Sequence, residues 1–189
     1  MKWKQSSKLL TFLLIGAVIF LYIEFLYSTP SPVTKDAPLP DGLHPEVAEK
    51  AEELVQKAAD KGIVIVITDD FRSFEEQEQL YEKGRTADGK VVTHAKGGES
   101  FHNFGLAIDF ALQSGNGQTL WDMDYDGNGN SQSDWMEVVS IAKSLGFEWG
   151  GDWIRFKDYP HLQMNFGLSI RDLQNGERPP GQTATAGNG

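Results

Sequence analysis

The chain has 189 residues, of which 40% are hydrophobic and 11% aromatic, so it is long enough for one folded domain with short appendages and is not globally disordered. Its 27 acidic and 17 basic residues give a formal charge of −10 without a block of clustered Lys and Arg, which argues against a nucleic-acid partner. Cysteine is absent, which excludes disulfides and thiolate metal sites, so a bound metal must use His and carboxylate ligands.

The N-terminal residues predict a membrane anchor. Residues 9–27 form an apolar run close to the roughly 20 residues that cross a hydrocarbon core. The preceding lysines, Lys2, Lys4 and Lys8, are expected to stay on the cytoplasmic side. A cleaved signal peptide is the alternative, but the residues after the run lack a small-x-small cleavage site. We therefore expect a cytoplasmic stub and transmembrane helix over residues 1–28, with the catalytic part outside the cytoplasm and facing the cell wall.

Proline and glycine divide the rest of the chain. Residues 29–41 contain four of the eight prolines, which favours a stiff, extended tether, and we place this linker at residues 29–43. One folded domain is expected over residues 44–175. The polar residues 176–189 predict a disordered tail.

Hydrophobic spacing predicts a mixed domain. A helix begins at Pro45 and ends before Gly62, with an apolar face of Val47, Ala51, Leu54, Val55 and Ala58. A β-branched strand follows over residues 63–68. Ser73 and Glu76 form a capping-box pattern that opens a second helix, running to about Lys83.

The second half continues in the same manner. Residues 86–100 and 115–133 are rich in turn-forming residues, and strands are expected at 106–112 and 161–164. A third helix is expected over residues 134–145, stopped by Gly146, with Met136, Val139, Ala142 and Leu145 facing the core. A short helix is expected at 169–174. Strands and helices do not alternate regularly, so the pattern predicts an α+β domain with a small antiparallel sheet and flanking helices.

Two segments carry metal-binding residue types. Residues 100–109 read Ser-Phe-His-Asn-Phe-Gly-Leu-Ala-Ile-Asp, and residues 158–161 read Asp-Tyr-Pro-His. Two imidazoles and one carboxylate are a ligand set typical of catalytic zinc, which leaves a fourth position for water. A nearby carboxylate that is not a ligand can take a proton from that water and pass it to a leaving amine. Singly, a His is more often a surface or core residue, and an Asp can cap a turn.

Together these segments resemble the LAS-type zinc metallopeptidases, which include the D-alanyl-D-alanine carboxypeptidases and dipeptidases of the vancomycin-resistance type. The pattern Ser-x-His-x-x-Gly-x-Ala-x-Asp is complete. Many relatives carry Glu where this chain has Asp158, and the resemblance associates the shorter acid with the L-alanyl-D-glutamate peptidase branch. Residues 71–77 and 149–153 match that branch further. The similarity runs from about His44 to about Asp172 and is closest to the Bacillus cell-wall endopeptidases.

The resemblance implies a role for each matching residue. His102, Asp109 and His161 would hold one Zn²⁺ per chain. Asp158 would be the general base and acid. Arg72 would stabilise the oxyanion, although a surface salt bridge with Asp69 or Asp70 is the alternative. Ser100 would hydrogen-bond the substrate or brace its loop.

Other side chains are weaker candidates. His94 could approach the cleft, but a solvent-exposed position is the preferred interpretation, and His44 is expected to be structural. Three aromatic residues could line a cleft or pack around a turn: Trp149, Trp153 and Tyr159.

The acidic residues 122–130 resemble the first half of a calcium-binding loop. Counted from Asp122, the twelfth position is Ser133 and not the required Glu, and no helix is predicted before the loop. A turn-rich loop is the preferred interpretation, with weak calcium binding as the alternative.

The leading functional hypothesis is zinc-dependent hydrolysis of the L-alanyl-D-glutamate bond in peptidoglycan stem peptides. The alternatives are a D,D-carboxypeptidase or dipeptidase that releases D-alanine, and a noncatalytic, zinc-stabilised wall-binding module. Asp158 and Arg72 argue against the module, because a structural zinc needs neither. The stem-peptide variant and the oligomeric state do not follow from the sequence.

Overall fold

The computed structural model of the chain describes residues 38–182. The predicted membrane span at residues 9–27, most of the predicted linker and residues 183–189 of the predicted tail lie outside this range. Within residues 38–182, no helix has both the length and the apolar character needed to span a bilayer.

The described residues form four α-helices and five short β-strands. The helices are α1 (Pro45–Ala59), α2 (Phe74–Glu82), α3 (Asp134–Ser144) and α4 (Ile170–Gln174). The strands are β1 (Ile65–Asp69), β2 (Ala107–Gln113), β3 (Thr119–Leu120), β4 (Glu148–Trp149) and β5 (His161–Gln163). The predicted α+β class with a small sheet and flanking helices is confirmed.

The strands form one antiparallel sheet in the order β1-β2-β5-β4, and β3 pairs with the C-terminal end of β2. Strand β2 is therefore central, and all seven of its residues are paired with a neighbouring strand or buried. Strand β4 was not predicted, because two residues are too short to show a strand pattern. Strand β1 begins at Ile65 and not at Ile63, because the Ile63 amide donates to the Ala58 carbonyl at 3.0 Å and closes the end of α1.

Helix α1 covers one side of the core. Pro45 occupies its first turn, and the His44 side chain caps it by accepting a hydrogen bond from the Glu46 amide. Four residues at helical spacing are buried: Val47, Ala51, Leu54 and Ala58. Val55, which was assigned to the same face, is 38% exposed, so that assignment was wrong.

Helix α3 buries a different stripe from the predicted one. Val139 and Ala142 face the core as expected, but Met136 is 43% exposed. Trp135 and Val138 take its place, with 1% and 0% exposure. The shift arises because the large Trp135 ring packs on Phe110 of β2, with ring centroids 4.6 Å apart, which sets the rotation of the helix.

Residues 176–182 do not fit the predicted disordered tail. Arg178 is 3% exposed and donates to the Leu173 carbonyl at 2.6 Å, while its guanidinium lies 5.1 Å from the centre of the Phe104 ring. The Pro180 carbonyl accepts from His44 Nε2 at 2.8 Å, and Gln182 donates to the Phe104 carbonyl at 2.6 Å. These contacts are made to residues distant in the sequence, so composition did not reveal them.

Candidate active site

The central pair of strands brings two of the predicted metal ligands together. Asp109 on β2 lies directly opposite His161 on β5 in the antiparallel register. Side chains at such positions are neighbours on one face of a sheet. The pairing therefore places residues from distant parts of the chain beside each other.

The third predicted ligand comes from the turn that precedes β2. His102 lies in a 3₁₀ turn (Phe101–Phe104), which Ser100 caps by accepting from the His102 amide at 3.4 Å. Gly105 ends the turn with φ +66°, and a Cβ there would lie 2.2 Å from the Gly42 carbonyl oxygen. The glycine of the motif thus permits a left-handed turn against a neighbouring backbone, which directs the chain from His102 into β2.

Three ligand atoms meet at the end of this arrangement. His102 Nε2 and His161 Nδ1 each lie 3.3 Å from Asp109 Oδ1, and the two nitrogens are 3.2 Å apart. Four tetrahedral ligands at zinc bond lengths of about 2.0–2.1 Å are separated by about 3.3–3.4 Å, so the triangle has the size that a zinc ion requires.

The outer ring nitrogens determine which atoms are free to bind a metal. His102 Nδ1 lies 2.6 Å from the Asp70 carbonyl oxygen, and His161 Nε2 lies 3.0 Å from Gln163 Oε1. Both acceptors hold the ring proton on the outer side, so a lone pair of each imidazole faces Asp109. Asp109 Oδ1 is buried and accepts no hydrogen bond from any described residue. Three electron-pair donors without a shared proton fit a bound cation.

The charge of Asp109 is consistent with this role. Burial by itself raises the pKa of the Asp109 carboxyl, but the adjacent His102 and His161 outweigh burial and lower the pKa well below its usual range. The carboxylate is therefore ionised, as a metal ligand must be.

Asp158 lies beside the ligand group. A Cβ added to Gly150 would lie 3.1 Å from both the Asp158 and the His161 Cβ atoms, so both side chains surround this glycine. The Asp158 amide also donates to the Gly150 carbonyl at 3.2 Å. A side chain at position 150 would clash with the Asp158 carbonyl oxygen, 2.4 Å from the Cβ position, so the motif at residues 149–153 requires glycine here. It lets the loop bring Asp158 close to β5.

Burial raises the pKa of the Asp158 carboxyl, and the nearby Asp109 carboxylate raises the pKa further, against the opposing effects of His161, His102 and Arg72. A carboxyl group with a raised pKa accepts and returns protons more readily near neutral pH.

Arg72 forms the salt bridge that was the alternative interpretation, and its side chain also lies on the cavity wall. Its guanidinium forms an ion pair with Asp69 and also lines the same cavity as the three ligands. The Arg72 side chain is 12% exposed, and Nη1 donates to Gln77 Oε1 at 2.5 Å. The ion pair holds the guanidinium in place at the edge of the cavity and leaves it within the site.

Two buried polar residues to which the sequence analysis assigned no role, Gln77 and Asn103, support these groups. Gln77 is fully buried and donates to the Ala95 carbonyl at 2.7 Å, so it joins Arg72 to the loop at residues 93–95. Asn103 is 1% exposed, accepts from the Gly98 amide at 3.0 Å and donates to the Arg72 carbonyl at 2.8 Å. Both residues lie within segments that the resemblance matched, 71–77 and 100–109, and that position was the sequence signal that could have identified them.

The three metal ligands, Asp158 and Arg72 line one cavity of about 630 Å³. Its wall includes the ligands, Ser100 and six further residues: Asp69, Arg72, His94, Trp153, Phe156 and Asp158. His94 is exposed, as expected, yet its ring meets Phe156 edge-to-face at 5.5 Å on the cavity wall. The cavity is large enough for a short peptide segment.

Of the remaining candidates, Trp153 lines the cavity, whereas His44 and Trp149 do not. His44 is 2% exposed and caps α1, which confirms its structural role. Trp149 is buried and donates from Nε1 to the Tyr159 carbonyl at 2.7 Å, so it packs around the turn. Trp153 lines the cavity and lies 5.1 Å from the His161 ring.

Known proteins resemble this chain over most of its length. Residues 93–164 match the family described as D-alanyl-D-alanine carboxypeptidase. The chain is 56% identical over 160 residues to the peptidoglycan L-alanyl-D-glutamate endopeptidase CwlK of Bacillus subtilis (strain 168), which covers 85% of this chain and 95% of CwlK. It is 33% identical over 116 residues to an L-alanyl-D-glutamate peptidase of a Listeria phage, covering 61% of this chain and 36% of that protein.

Among solved structures, the chain matches the L-Ala D-Glu endopeptidase ChiX of Serratia marcescens. It superimposes with a TM-score of 0.45 at 24% identity, over 70% of this chain and 84% of that chain.

Proposed function

We propose that the chain hydrolyses the L-alanyl-D-glutamate bond of cell-wall stem peptides. The proposal starts from its family, because the chain belongs to the peptidoglycan L-alanyl-D-glutamate endopeptidases. The observation that carries the chemistry is the triangle of His102 Nε2, His161 Nδ1 and Asp109 Oδ1, with sides of 3.2–3.3 Å. These three residues would hold one zinc ion per chain. A zinc ion bound by three protein ligands supplies Lewis-acid catalysis and lowers the pKa of water.

Asp158 would act as general base and then as general acid. Its carboxyl group lines the cavity with the ligands, and its raised pKa lets it take a proton from the attacking water and return it to the leaving amine. Aspartate is one methylene shorter than the glutamate that many relatives carry. The close approach at Gly150 holds the backbone of Asp158 near His161 of β5, which would suit a shorter acidic side chain.

Arg72 would stabilise the negative charge that develops on the carbonyl oxygen of the cleaved bond. Asp69 and Gln77 hold its guanidinium, so little reorganisation is needed when that charge forms. Ser100 accepts from the His102 amide and lines the cavity, so it would brace the ligand turn and offer its hydroxyl to the substrate backbone.

The identity of the cleaved bond is tested by product mapping. Purified cell wall and soluble wall fragments are digested with the protein, and the new amino termini are identified by mass spectrometry with and without a chelator. New N-terminal D-glutamate that disappears with the chelator is the expected result. Release of free D-alanine would indicate a D,D-carboxypeptidase or dipeptidase instead, and binding to wall without any product would indicate a noncatalytic module.

The N-terminal sequence supports a further part of the proposal, a single membrane anchor that leaves the catalytic domain outside the cytoplasm. The apolar run at residues 9–27 and the lysines before it are the basis for this topology. Protease treatment of intact cells stripped of their wall checks it. Resistance of residues 38–182 to external protease would contradict the proposed orientation.

A further inference from the structure

The loop between β3 and α3 contains a second set of oxygen ligands, which is distinct from the zinc site. Counted from Asp126, the side chains at positions one, three, five, nine and twelve are Asp126, Asn128, Asn130, Asp134 and Glu137. These are the positions from which a twelve-residue calcium loop draws its side-chain ligands, and position twelve is the bidentate Glu. The register that begins at Asp122 places Ser133 there, so the correct count starts four residues later.

The backbone of residues 126–131 has the turn that such a loop requires. Position six is occupied by Ser131, which has a positive φ of 66°, whereas calcium loops carry glycine at this point for the same sharp turn. Asp126 Oδ1 accepts from the Gly129 amide at 2.8 Å, and Asp126 Oδ2 accepts from the Ser131 amide at 2.9 Å. The chain therefore winds around the carboxylate at position one.

Glu137 closes the loop from the first turn of α3. Its carboxylate is 8% exposed and accepts from Asn128 Nδ2 at 3.0 Å and from Asn130 Nδ2 at 2.7 Å. The ammonium group of Lys61 also donates to it at 2.8 Å. The side chains at positions three, five and twelve of the loop thus converge. In this structure the Lys61 ammonium group neutralises the Glu137 carboxylate.

An independent observation points to a missing partner. Asp134, at position nine, is 2% exposed, and its Oδ1 atom has no hydrogen-bond donor among residues 38–182. Its Oδ2 atom accepts from the Gly127 amide at 2.9 Å, so the carboxylate faces the loop. A buried carboxylate oxygen without a donor is costly unless a cation or an ordered water satisfies it.

We propose that residues 126–137 bind one calcium ion. Asp126 and Glu137 would supply carboxylate oxygens, and Asn128 and Asn130 would supply amide oxygens after their side chains rotate away from Glu137. Gln132 would supply its carbonyl at position seven, and Asp134 would act through water.

Calcium in this loop would stabilise the packing behind the zinc site. Helix α3 starts within the loop, and its Trp135 packs on Phe110, the residue after Asp109 in β2. Fixing the first turn of α3 therefore supports the strand that carries a zinc ligand. This role does not depend on which peptide bond the zinc site cleaves.

Isothermal titration and thermal unfolding of the full-length, zinc-loaded protein with CaCl₂ test the proposal, with MgCl₂ as the competing cation. We expect one calcium ion per chain, a higher melting temperature and weaker binding of magnesium, which prefers a smaller octahedral site. Neither measurement requires wall hydrolysis, so its outcome is separate from that of the proposed function.

Matched variants assign the site. Glu137→Gln and Asn128→Ala should weaken calcium binding by roughly tenfold or more, because each removes a direct oxygen ligand. Asp122→Asn removes the same charge as Glu137→Gln from the same segment but lies outside the ligand set, and it should leave binding unchanged. The proposal is overturned if the wild-type protein binds no calcium at millimolar concentration, or if Asp122→Asn weakens binding as much as Glu137→Gln.

Discussion

The two imidazoles of the ligand triangle and the Arg72 guanidinium each have a fixed hydrogen-bond or ion-pair partner. The Asp70 carbonyl and Gln163 orient the two imidazoles, and the Arg72 guanidinium is held by Asp69 and Gln77. Asp158 differs, because burial and the Asp109 charge raise its pKa, and no side chain or amide among residues 38–182 donates a hydrogen bond to its carboxylate. Such partners reduce the reorganisation that a reaction needs.

Replacing Asp158 should separate catalysis from metal binding. Asp158→Asn keeps the size of the side chain but removes the proton acceptor, so we expect kcat to fall by about 10²- to 10⁴-fold. The zinc content, measured by elemental analysis, should stay at the wild-type value because Asp158 is not in the ligand triangle. Asp152→Asn, an exposed acid of the same loop, is the control. Loss of zinc from Asp158→Asn would show that its assigned role as a base is wrong.

Gln77 should act on the reaction through Arg72. Gln77→Ala removes the acceptor of an Arg72 hydrogen bond, which is worth about 1.5–3 kcal/mol, so kcat/KM should fall by roughly 10- to 100-fold. Gln77→Glu keeps an acceptor for Arg72 and should recover most of the activity. Equal losses in the two variants, at equal zinc content and below their melting temperatures, would contradict the positioning role.

At the scale of elements, the site is built where strands and short turns end. Strand pairing sets Asp109 opposite His161, the 3₁₀ turn supplies His102, and a close approach at Gly150 admits Asp158. None of these groups lies within a long helix. Their positions therefore depend on backbone turns that tolerate few substitutions.

Gly105→Ala tests one such turn. The new methyl group would lie 2.2 Å from the Gly42 carbonyl oxygen at a φ of +66°, so both strain and a backbone clash are expected. Gly117→Ala is the matched control, because Gly117 also has a positive φ of 83° but an added Cβ meets nothing within 4 Å. The control should lose about 1–2 kcal/mol of unfolding free energy, and Gly105→Ala should lose more. Urea unfolding of the zinc-loaded proteins gives the comparison, and equal losses would refute the clash.

At the scale of the whole molecule, the first and last residues of the range 38–182 pack against the same core. His44 at the start of α1 contacts Pro180, and Gln182 contacts Phe104 beside the ligand turn. The central strand β2 contacts the zinc site at one end and the helix α3 through Phe110. Changes at the metal site are therefore expected to alter global stability.

Removal of zinc should lower both activity and stability. A cation that binds the folded state and not the unfolded state contributes about 4 kcal/mol when its concentration is about 1,000 times Kd. We expect a chelator to abolish hydrolysis and lower the melting temperature, and one equivalent of zinc to restore both. Activity that survives complete removal of the metal, verified by elemental analysis, would exclude the zinc mechanism.

Glu137 should make stability depend on pH in calcium-free buffer. Hydrogen bonds from Lys61, Asn128 and Asn130 lower the pKa of its carboxyl below the usual value of 4.5. A lowered pKa in the folded state means that its contribution to unfolding free energy is present above the unfolded-state pKa and is lost as pH falls through the folded-state pKa. The stability difference between wild type and Glu137→Gln should therefore shrink as the pH falls below about 4.5, measured by urea unfolding. A difference that stays constant over this range would contradict the pKa assignment.

The sequence by itself determined the features that depend on neighbours along the chain. The capping box of Ser73 and Glu76, the start of α1 at Pro45 and the motif around His102 and Asp109 are local patterns, and the structure contains each of them. The α+β class also followed from local periodicity. The preferred bond for cleavage came from resemblance, because residue types alone do not specify a substrate.

Only the tertiary structure decided the features that depend on distant contacts. Gln77 and Asn103 become part of the site because folding brings residues 72, 95 and 98 to them. Trp135 faces the core in place of Met136 because Phe110 lies across from it. The proposed calcium loop at residues 126–137 was recognised from the positive φ of Ser131 and the contacts of Glu137. The sequence pattern alone did not show it, because position six carries serine where calcium loops carry glycine. Packing and strand register are set by the whole chain, so local sequence could not supply them.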